Sequence, residues 1–264
     1  MSTIDYSGKV VIITGSSSGI GQAAAILFAK SGASVTIHGR SEDGLRKTAD
    51  LILAAGISKE RIHSVQGSIT DSEVRNSLIE ETVKTFGRID VLINNAGLSI
   101  KPGESNPRSM ENLNYVLDVN LKSVIHLTEL AIPHLEKTNG NIINISSIVS
   151  QKTSNFAPFY HISKAALDHF TRNYAAILAP KGIRINNLNP GLVTTNFWAR
   201  REINEEKLDK IVKSLIVPLG RWGTSEEMAE FIIFMASEKA SYMTGQCINV
   251  DGGSLIDIPN IKFD

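Results

Sequence analysis

The run Val10-Val-Ile-Ile13-Thr14-Gly15-Ser-Ser-Ser-Gly19-Ile20-Gly21 decides the reading of this chain. Four consecutive β-branched apolar residues describe a strand buried on both faces. A helical pattern begins at once, at Gly19. A tight glycine turn between strand and helix brings backbone N–H groups close to a pyrophosphate, and the helix N-terminus adds partial positive charge there. The spacing is not G-x-G-x-x-G, and the loop lacks the lysine of a nucleotide-hydrolase loop. Glycine ends many strands, so it is the position, first strand and first helix, that gives the loop its weight. Gly15, Ser17, Ser18, Gly19, Ile20 and Gly21 are therefore candidate residues for binding a dinucleotide.

The same alternation continues along the chain. Short apolar runs at Ser34–Ile37, Arg61–Val65, Val91–Ile93, Asn141–Ile145, Arg184–Leu188 and Cys247–Val250 read as strands. Between them Glu42–Ala55, Asp71–Phe86, Met110–Leu135, Phe156–Leu178 and Glu226–Ser237 read as helices, after the first at Gly19–Lys30. Strand then helix, repeated over short connections, predicts an α/β fold: one Rossmann-type doubly wound sheet of about seven parallel strands with helices on both faces. No Pro/Ser-rich linker or repeat divides the chain, so residues 1–264 are expected to form a single dinucleotide-binding and catalytic domain. The interval from about 195 to 219 breaks the rhythm and is expected to be a helical lid over the substrate; the competing reading is a surface excursion.

Composition narrows the function. The 264 residues carry 27 Lys+Arg against 27 Asp+Glu, so no basic excess exists for wrapping nucleic acid. Hydrophobic residues at 42% and charged residues at 20% fit a soluble globular protein. A single cysteine, Cys247, excludes an internal disulfide and any multi-cysteine zinc site. No run approaches the roughly 18 apolar residues of a membrane helix, and no targeting signal stands out, so a cytoplasmic protein with no membrane span is expected. The six histidines show no metal-ligand spacing, and no metal is expected. Asn144-Ile-Ser146 is a formal glycosylation sequon in a strand-like run, expected to be unused.

The second strand bears on which dinucleotide binds. An acidic residue at its end would hold an adenosine ribose 2′-hydroxyl and repel a 2′-phosphate. Here it ends His38-Gly39-Arg40-Ser41, with no carboxylate before Glu42. Arg40 offers a planar fork of donors suited to phosphate, and Ser17 and Ser41 add hydroxyls. This favours NADP(H) over NAD(H), against the plainer reading of a solvated arginine opening a helix.

Tyr160 and Lys164 stand four apart in a helical segment and share one face. A phenol with a reference pKa near 10 is a poor base at neutral pH. An ammonium ~4 Å away stabilises the phenolate by up to ~4 kcal/mol at an effective dielectric of 20, or ~3 pKa units before desolvation opposes it. Such a tyrosine can give a proton to a forming alkoxide or take one from an alcohol. The strand Asn141–Ile145 ends in Ser146-Ser147, thirteen residues before Tyr160, and Ser147 can hold a carbonyl oxygen without attacking it. No G-x-S-x-G elbow or paired histidine suggests acyl transfer.

TGSSSGIG, Asn94-Asn-Ala-Gly97, Ser147, Tyr160-His-Ile-Ser-Lys164 and Asn189-Pro-Gly191 stand in the order seen in short-chain dehydrogenases/reductases (SDRs). The chain resembles that family from Gly8 to Gly253. The resemblance implies Tyr160 as acid/base, Ser147 as the group polarising the substrate oxygen, and Lys164 as holder of the nicotinamide ribose. It implies that Asn120 supports a water linking the lysine to solvent. It implies that Asn95, Ala96 and Gly97 line the adenosine side. Pro190, Gly191, Val193 and Thr195 would belong to the segment gripping the nicotinamide carboxamide. Where the family often has an aspartate touching adenine, this chain reads Gln66-Gly67-Ser68-Ile69, so Ser68 or backbone around Ile69 would take over. Dimers or tetramers are common in the family, and a homodimer or homotetramer is expected.

The expectation is an NADP(H)-dependent oxidoreductase interconverting a carbonyl and a secondary alcohol, acting as a reductase. Leu98, Phe156, Leu192, Phe197 and Trp198 predict a mostly apolar small-molecule pocket, while Arg200 and Arg201 leave an acidic substrate open. The competing readings are an NAD-dependent alcohol dehydrogenase of the same fold and a non-catalytic NADP-binding sensor or scaffold. His161, about 100° round the helix from Tyr160, is expected to be a surface or interface residue.

Overall fold

Val10–Ile13 forms strand β1, and none of its four residues is exposed. The computed structural model describes residues 4–195, 197 and 217–256. Chain order runs β1, α1 (Gly19–Lys30), β2 (Ser34–Gly39), α2 (Glu42–Ala54), β3 (Ile62–Gln66), α3 (Ser72–Phe86) and β4 (Val91–Asn94). It continues with α4 (Met110–Leu117), α5 (Ser123–Leu135), β5 (Asn141–Ile145), α6 (Pro158–Leu178), β6 (Arg184–Pro190), α7 (Ser225–Ala236) and β7 (Cys247–Val250). The strands form one seven-stranded parallel sheet in the order β3-β2-β1-β4-β5-β6-β7. The direction of winding reverses between β1 and β4, and in open α/β sheets the ligand crevice lies outside the strand ends at that point.

Alternation along each strand feeds two cores. Val11 and Ile13 join Val35, Ile37, Val91, Ile93 and Leu188 with α1 and α7 on one face. Ile12 joins Leu92, Ile142 and Ile185 with α3, α5 and α6 on the other. Side chains of period two on a sheet covered on both sides produce this division.

One expected element is revised. The segment Met110–Leu135 is not a continuous α-helix: Asp118–Lys122 winds as a π-helical turn between α4 and α5. Such wider turns often mark functional positions, and this one carries Asn120. The lid expected at 195–219 lies, apart from Thr195, Phe197 and residues 217–219, outside the described residues.

Candidate active site

The strand ends at the reversal point open into a cleft of about 1210 Å³. It collects Gly15, Ser17, Ser18, Gly19, Ile20, Arg40, Ser41, Ser68, Ile69, Asn95, Ala96, Gly97, Ser147, Tyr160, Lys164, Pro190, Gly191, Val193 and Thr195. Of the predicted site residues, only Gly21 and Asn120 stand behind its wall.

The glycine loop is held open by its neighbours. Gly15 has φ +66°, and a Cβ there would lie 2.9 Å from the Ala96 Cα. At Gly21 a Cβ would come within 2.4 Å of Asn95 Nδ2 and 2.6 Å of the Gly15 carbonyl oxygen. Asn95 Nδ2 donates to the Thr14 and Gly15 carbonyls at 2.9 and 3.0 Å, while Thr14 Oγ1 accepts from the Asn95 and Ala96 amides. The ends of β1 and β4 are thus stitched together under the loop. Ser18 makes no side-chain cap on α1, and no acidic residue sits in its first turn. Of the other helices, α2, α3, α4 and α7 are capped by a side chain, while α5, which continues the π turn, and α6 are not. An uncapped N-terminus beside a glycine cradle fits a phosphate.

On the adenosine side, Arg40 and Ser41 line the cleft. Ser41 Oγ also accepts from the Gly44 amide at 3.1 Å and so caps α2. Gly39 and Gly44 make room for Ser17, whose Cβ lies 2.9 and 2.8 Å from where theirs would be. Ser68 Oγ lies 2.8 Å from Thr70 Oγ1, and the Ile69 carbonyl accepts from Arg75 Nη1 at 2.7 Å. That carbonyl is therefore already engaged at the place where adenine contact was in question.

His38 was passed over in the sequence, and the structure puts it behind the loop. It is 2% exposed, and its Nδ1 accepts from the Gly15 amide at 3.3 Å. The proton accordingly sits on Nε2, and burial pushes the ring down to about 4. A histidine inside a strand buried on both faces was the available signal. With its folded value below the unfolded 6.5, the neutral ring contributes stability that is full above pH 6.5 and lost as pH falls towards 4. We expect roughly 3 kcal/mol to be lost over that interval. His38→Asn, which keeps an acceptor but does not titrate, should flatten this part of the stability profile in denaturant titrations at pH 7 and 4.5.

The reacting side is built on β5 and α6. Tyr160 and Lys164 share one face of α6, and Lys164 Nζ stands 5.9 Å from the Tyr160 ring centre. Lys164 is 3% exposed and donates to the Ile145 carbonyl at 2.7 Å. Burial pushes its ammonium down to about 8, against the opposing pull of the Asp168 carboxylate. Ser147 follows β5 in extended backbone, accepts from the Val149 amide at 3.3 Å and reaches the Pro190 carbonyl at 3.4 Å. Asn120 is fully buried. Its Oδ1 accepts from the Leu98 amide at 2.9 Å, and Nδ2 donates to the Leu98 carbonyl at 2.8 Å and Ser163 Oγ at 2.9 Å. Gly97 lies between Asn120 and Lys164, a Cβ there falling 3.4 Å from Asn120 Oδ1 and 3.5 Å from Lys164 Nζ.

Leu98, Phe156, Leu192 and Phe197 line the cleft as expected; Trp198, Arg200 and Arg201 lie outside the described residues. The Phe197 ring sits 5.7 Å from that of Tyr160. Lys152–Asn155 adds polar groups to this mostly apolar wall. His161, partly exposed as a surface residue is expected to be, also lines it, and its Nδ1 donates to the Lys152 carbonyl at 2.8 Å. Among the described residues no group of three or more His, Cys, Asp or Glu side chains could hold a metal ion, and no helix is long and apolar enough to cross a membrane.

A family model described as enoyl-(acyl carrier protein) reductase matches residues 15–254. The 3-oxoacyl-[acyl-carrier-protein] reductase FabG of Thermotoga maritima is 37% identical over 252 residues, covering 94% of this chain and 98% of that one. The chain belongs to the short-chain dehydrogenase/reductase family. Among solved SDR structures, the L-sorbose reductase of Gluconobacter frateurii, complexed with NADPH and L-sorbose, is 31% identical with TM-score 0.87, covering 97% of this chain and 100% of that one. A 7α-hydroxysteroid dehydrogenase complexed with NADH and 7-oxo glycochenodeoxycholic acid is 31% identical with TM-score 0.85, covering 95% and 96%. This SDR is accordingly an oxidoreductase that acts on an alcohol/carbonyl pair with a nicotinamide cofactor.

Proposed function

We propose that this SDR is an NADP(H)-dependent reductase of a carbonyl compound with an apolar body, forming a secondary alcohol. The observation that carries the reading is the buried Lys164 ammonium beside Tyr160, in the cleft that the glycine loop and Arg40 also line. Gly15, Ser17, Ser18, Gly19 and Ile20 would hold the pyrophosphate, with Gly21 packed beneath them. Arg40 and Ser41 would take the 2′-phosphate, and Ser68 and Ile69 the adenine. Asn95, Ala96 and Gly97 would line the adenosine side, and Pro190, Gly191, Val193 and Thr195 the nicotinamide. When bound, the nicotinamide supplies the hydride.

The chain's own residues supply position, proton and charge. Ser147 orients the carbonyl oxygen. Tyr160 gives its phenolic proton to that oxygen as negative charge builds on it. Lys164 stabilises the charge left on the tyrosine and holds the nicotinamide ribose. Asn120 fixes the Leu98 peptide and α6 relative to one another, and so keeps the lysine side of the site in register. A substrate would rest its apolar body on Leu98, Phe156, Leu192 and Phe197 and turn polar groups to Lys152–Asn155. One continuous sheet supports a single cofactor-binding and catalytic domain. The exposed Ile162 and Ile177 on α6 support assembly into a homodimer or homotetramer.

Arg40→Ala tests the cofactor choice. The ratio of kcat/KM for NADPH to that for NADH should fall roughly 10- to 100-fold, the range of a lost charge-assisted hydrogen bond. An unchanged ratio would remove Arg40 from phosphate recognition and favour the NAD-dependent reading.

A further inference from the structure

We propose that Asp168 is a positioning residue for Lys164, a fixed buried carboxylate whose charge keeps the lysine one helical turn away in its ammonium form. The inference rests on the reading above, in which Lys164 acts as a cation. Tyr160, Lys164 and Asp168 are spaced four apart on α6 and so share a face. Asp168 is 3% exposed, and its two oxygens accept from Asn187 Nδ2 at 2.8 Å and Asn189 Nδ2 at 2.9 Å, both from β6. Among the described residues none forms an ion pair with it. Burying a carboxylate is costly unless hydrogen bonds and a charge compensate it, and here neutral amides satisfy the oxygens.

Those amides are part of a polarised chain. Asn94 Nδ2 donates to Asn144 Oδ1 at 2.9 Å, and Asn144 Nδ2 donates to Thr171 Oγ1 at 2.9 Å. Thr171 Oγ1 donates to Asn187 Oδ1, and Asn187 then donates to Asp168. Each of these four bonds runs towards the carboxylate, so each strengthens the next and the chain ends on an anion. This arrangement holds a negative charge in place. The cation that feels it is Lys164, whose burial favours the neutral amine and whose charge Asp168 supports.

Charged or titratable groups on α6 and the elements packed against it include Tyr160, His161, His169, Arg172 and Tyr174 on α6, Glu111 and Tyr115 on α4, Asp118 and Lys122 in the π turn, Arg184 on β6 and Cys247 on β7. Cys247 Sγ contacts the Asp168 carbonyl oxygen at 3.9 Å, and burial pushes its thiol up to about 11, so it stays neutral. Asp118 is paired with Lys122 at 2.8 Å.

The test is a pH titration of the full chain carrying 13Cε-lysine, with the Lys164 resonance assigned by its loss in Lys164→Met. In Asp168→Asn the Lys164 midpoint should fall by about one pH unit or more. Asn189 Oδ1 has no hydrogen-bond partner, so one amide flip accommodates the new side chain. Asp168→Ser serves as a second, smaller neutral variant and should give the same shift. Asn189→Ser removes a hydrogen bond but leaves the charge, and should leave the midpoint in place. An unmoved midpoint in both Asp168 variants, or an equal fall in all three, would overturn the proposal. Turnover retained in Tyr160→Phe would instead sink the catalytic reading and leave this titration intact.

Discussion

Tyr160→Phe should lower kcat for NADPH-dependent carbonyl reduction by roughly 10²- to 10⁴-fold, the usual contribution of a positioned general acid. The change removes one oxygen and keeps the ring, so the contact with Phe197 and the packing over Lys164 survive. NADPH should bind with unaltered affinity, because the glycine loop and Arg40 are untouched. Fluorescence titration of NADPH and stopped-flow absorbance with a panel of aromatic ketones separate the two quantities. Loss of binding together with turnover would point to a structural tyrosine, and full turnover would take the proton from another donor.

Gly21→Ala should be the most damaging single methyl in the cofactor site. Its Cβ would press on Asn95 Nδ2 and the Gly15 carbonyl at 2.4 and 2.6 Å, and the carbonyl is backbone that cannot step aside. Asn95 would have to leave the Thr14 and Gly15 carbonyls, opening the seam between β1 and β4. Overpacking of this kind costs about 1–3 kcal/mol, which for a chain of this size is a fall in Tm of several degrees. The NADPH Kd should rise at least tenfold, because the same shift moves the loop amides. A variant with wild-type Tm and Kd would show that Asn95 is not the clamp described.

Much of this was legible before any coordinates. Consecutive β-branched runs separated by helical periods gave the seven strands, because a parallel sheet buried on both faces leaves that mark on composition. The Tyr160–Lys164 pair was readable because helical spacing is local, and Arg40 because it ends a strand. Three things were not readable, each for a physical reason. The π turn at Asp118–Lys122 spans only five residues between two ordinary helical stretches, so Met110–Leu135 looked unbroken. His38 meets Gly15 from 23 residues away across two strands, a contact that no local pattern encodes. His161 lines the cleft and bonds the Lys152 carbonyl from the preceding loop, a contact that an ideal helical wheel cannot include.

The π turn also sets a rule about length. An α-helix advances 100° per residue and the wider π turn less, so removing one residue from Asp118–Lys122 would let the segment rewind as α-helix between α4 and α5 and re-aim the side chains of the turn itself. Asn120 would swing away from Leu98 and Ser163 although every side-chain type survived. Substitutions on the outer face of this segment can be absorbed; a change in the number of residues cannot, and that makes it a poor place for a tag, a graft or a splice.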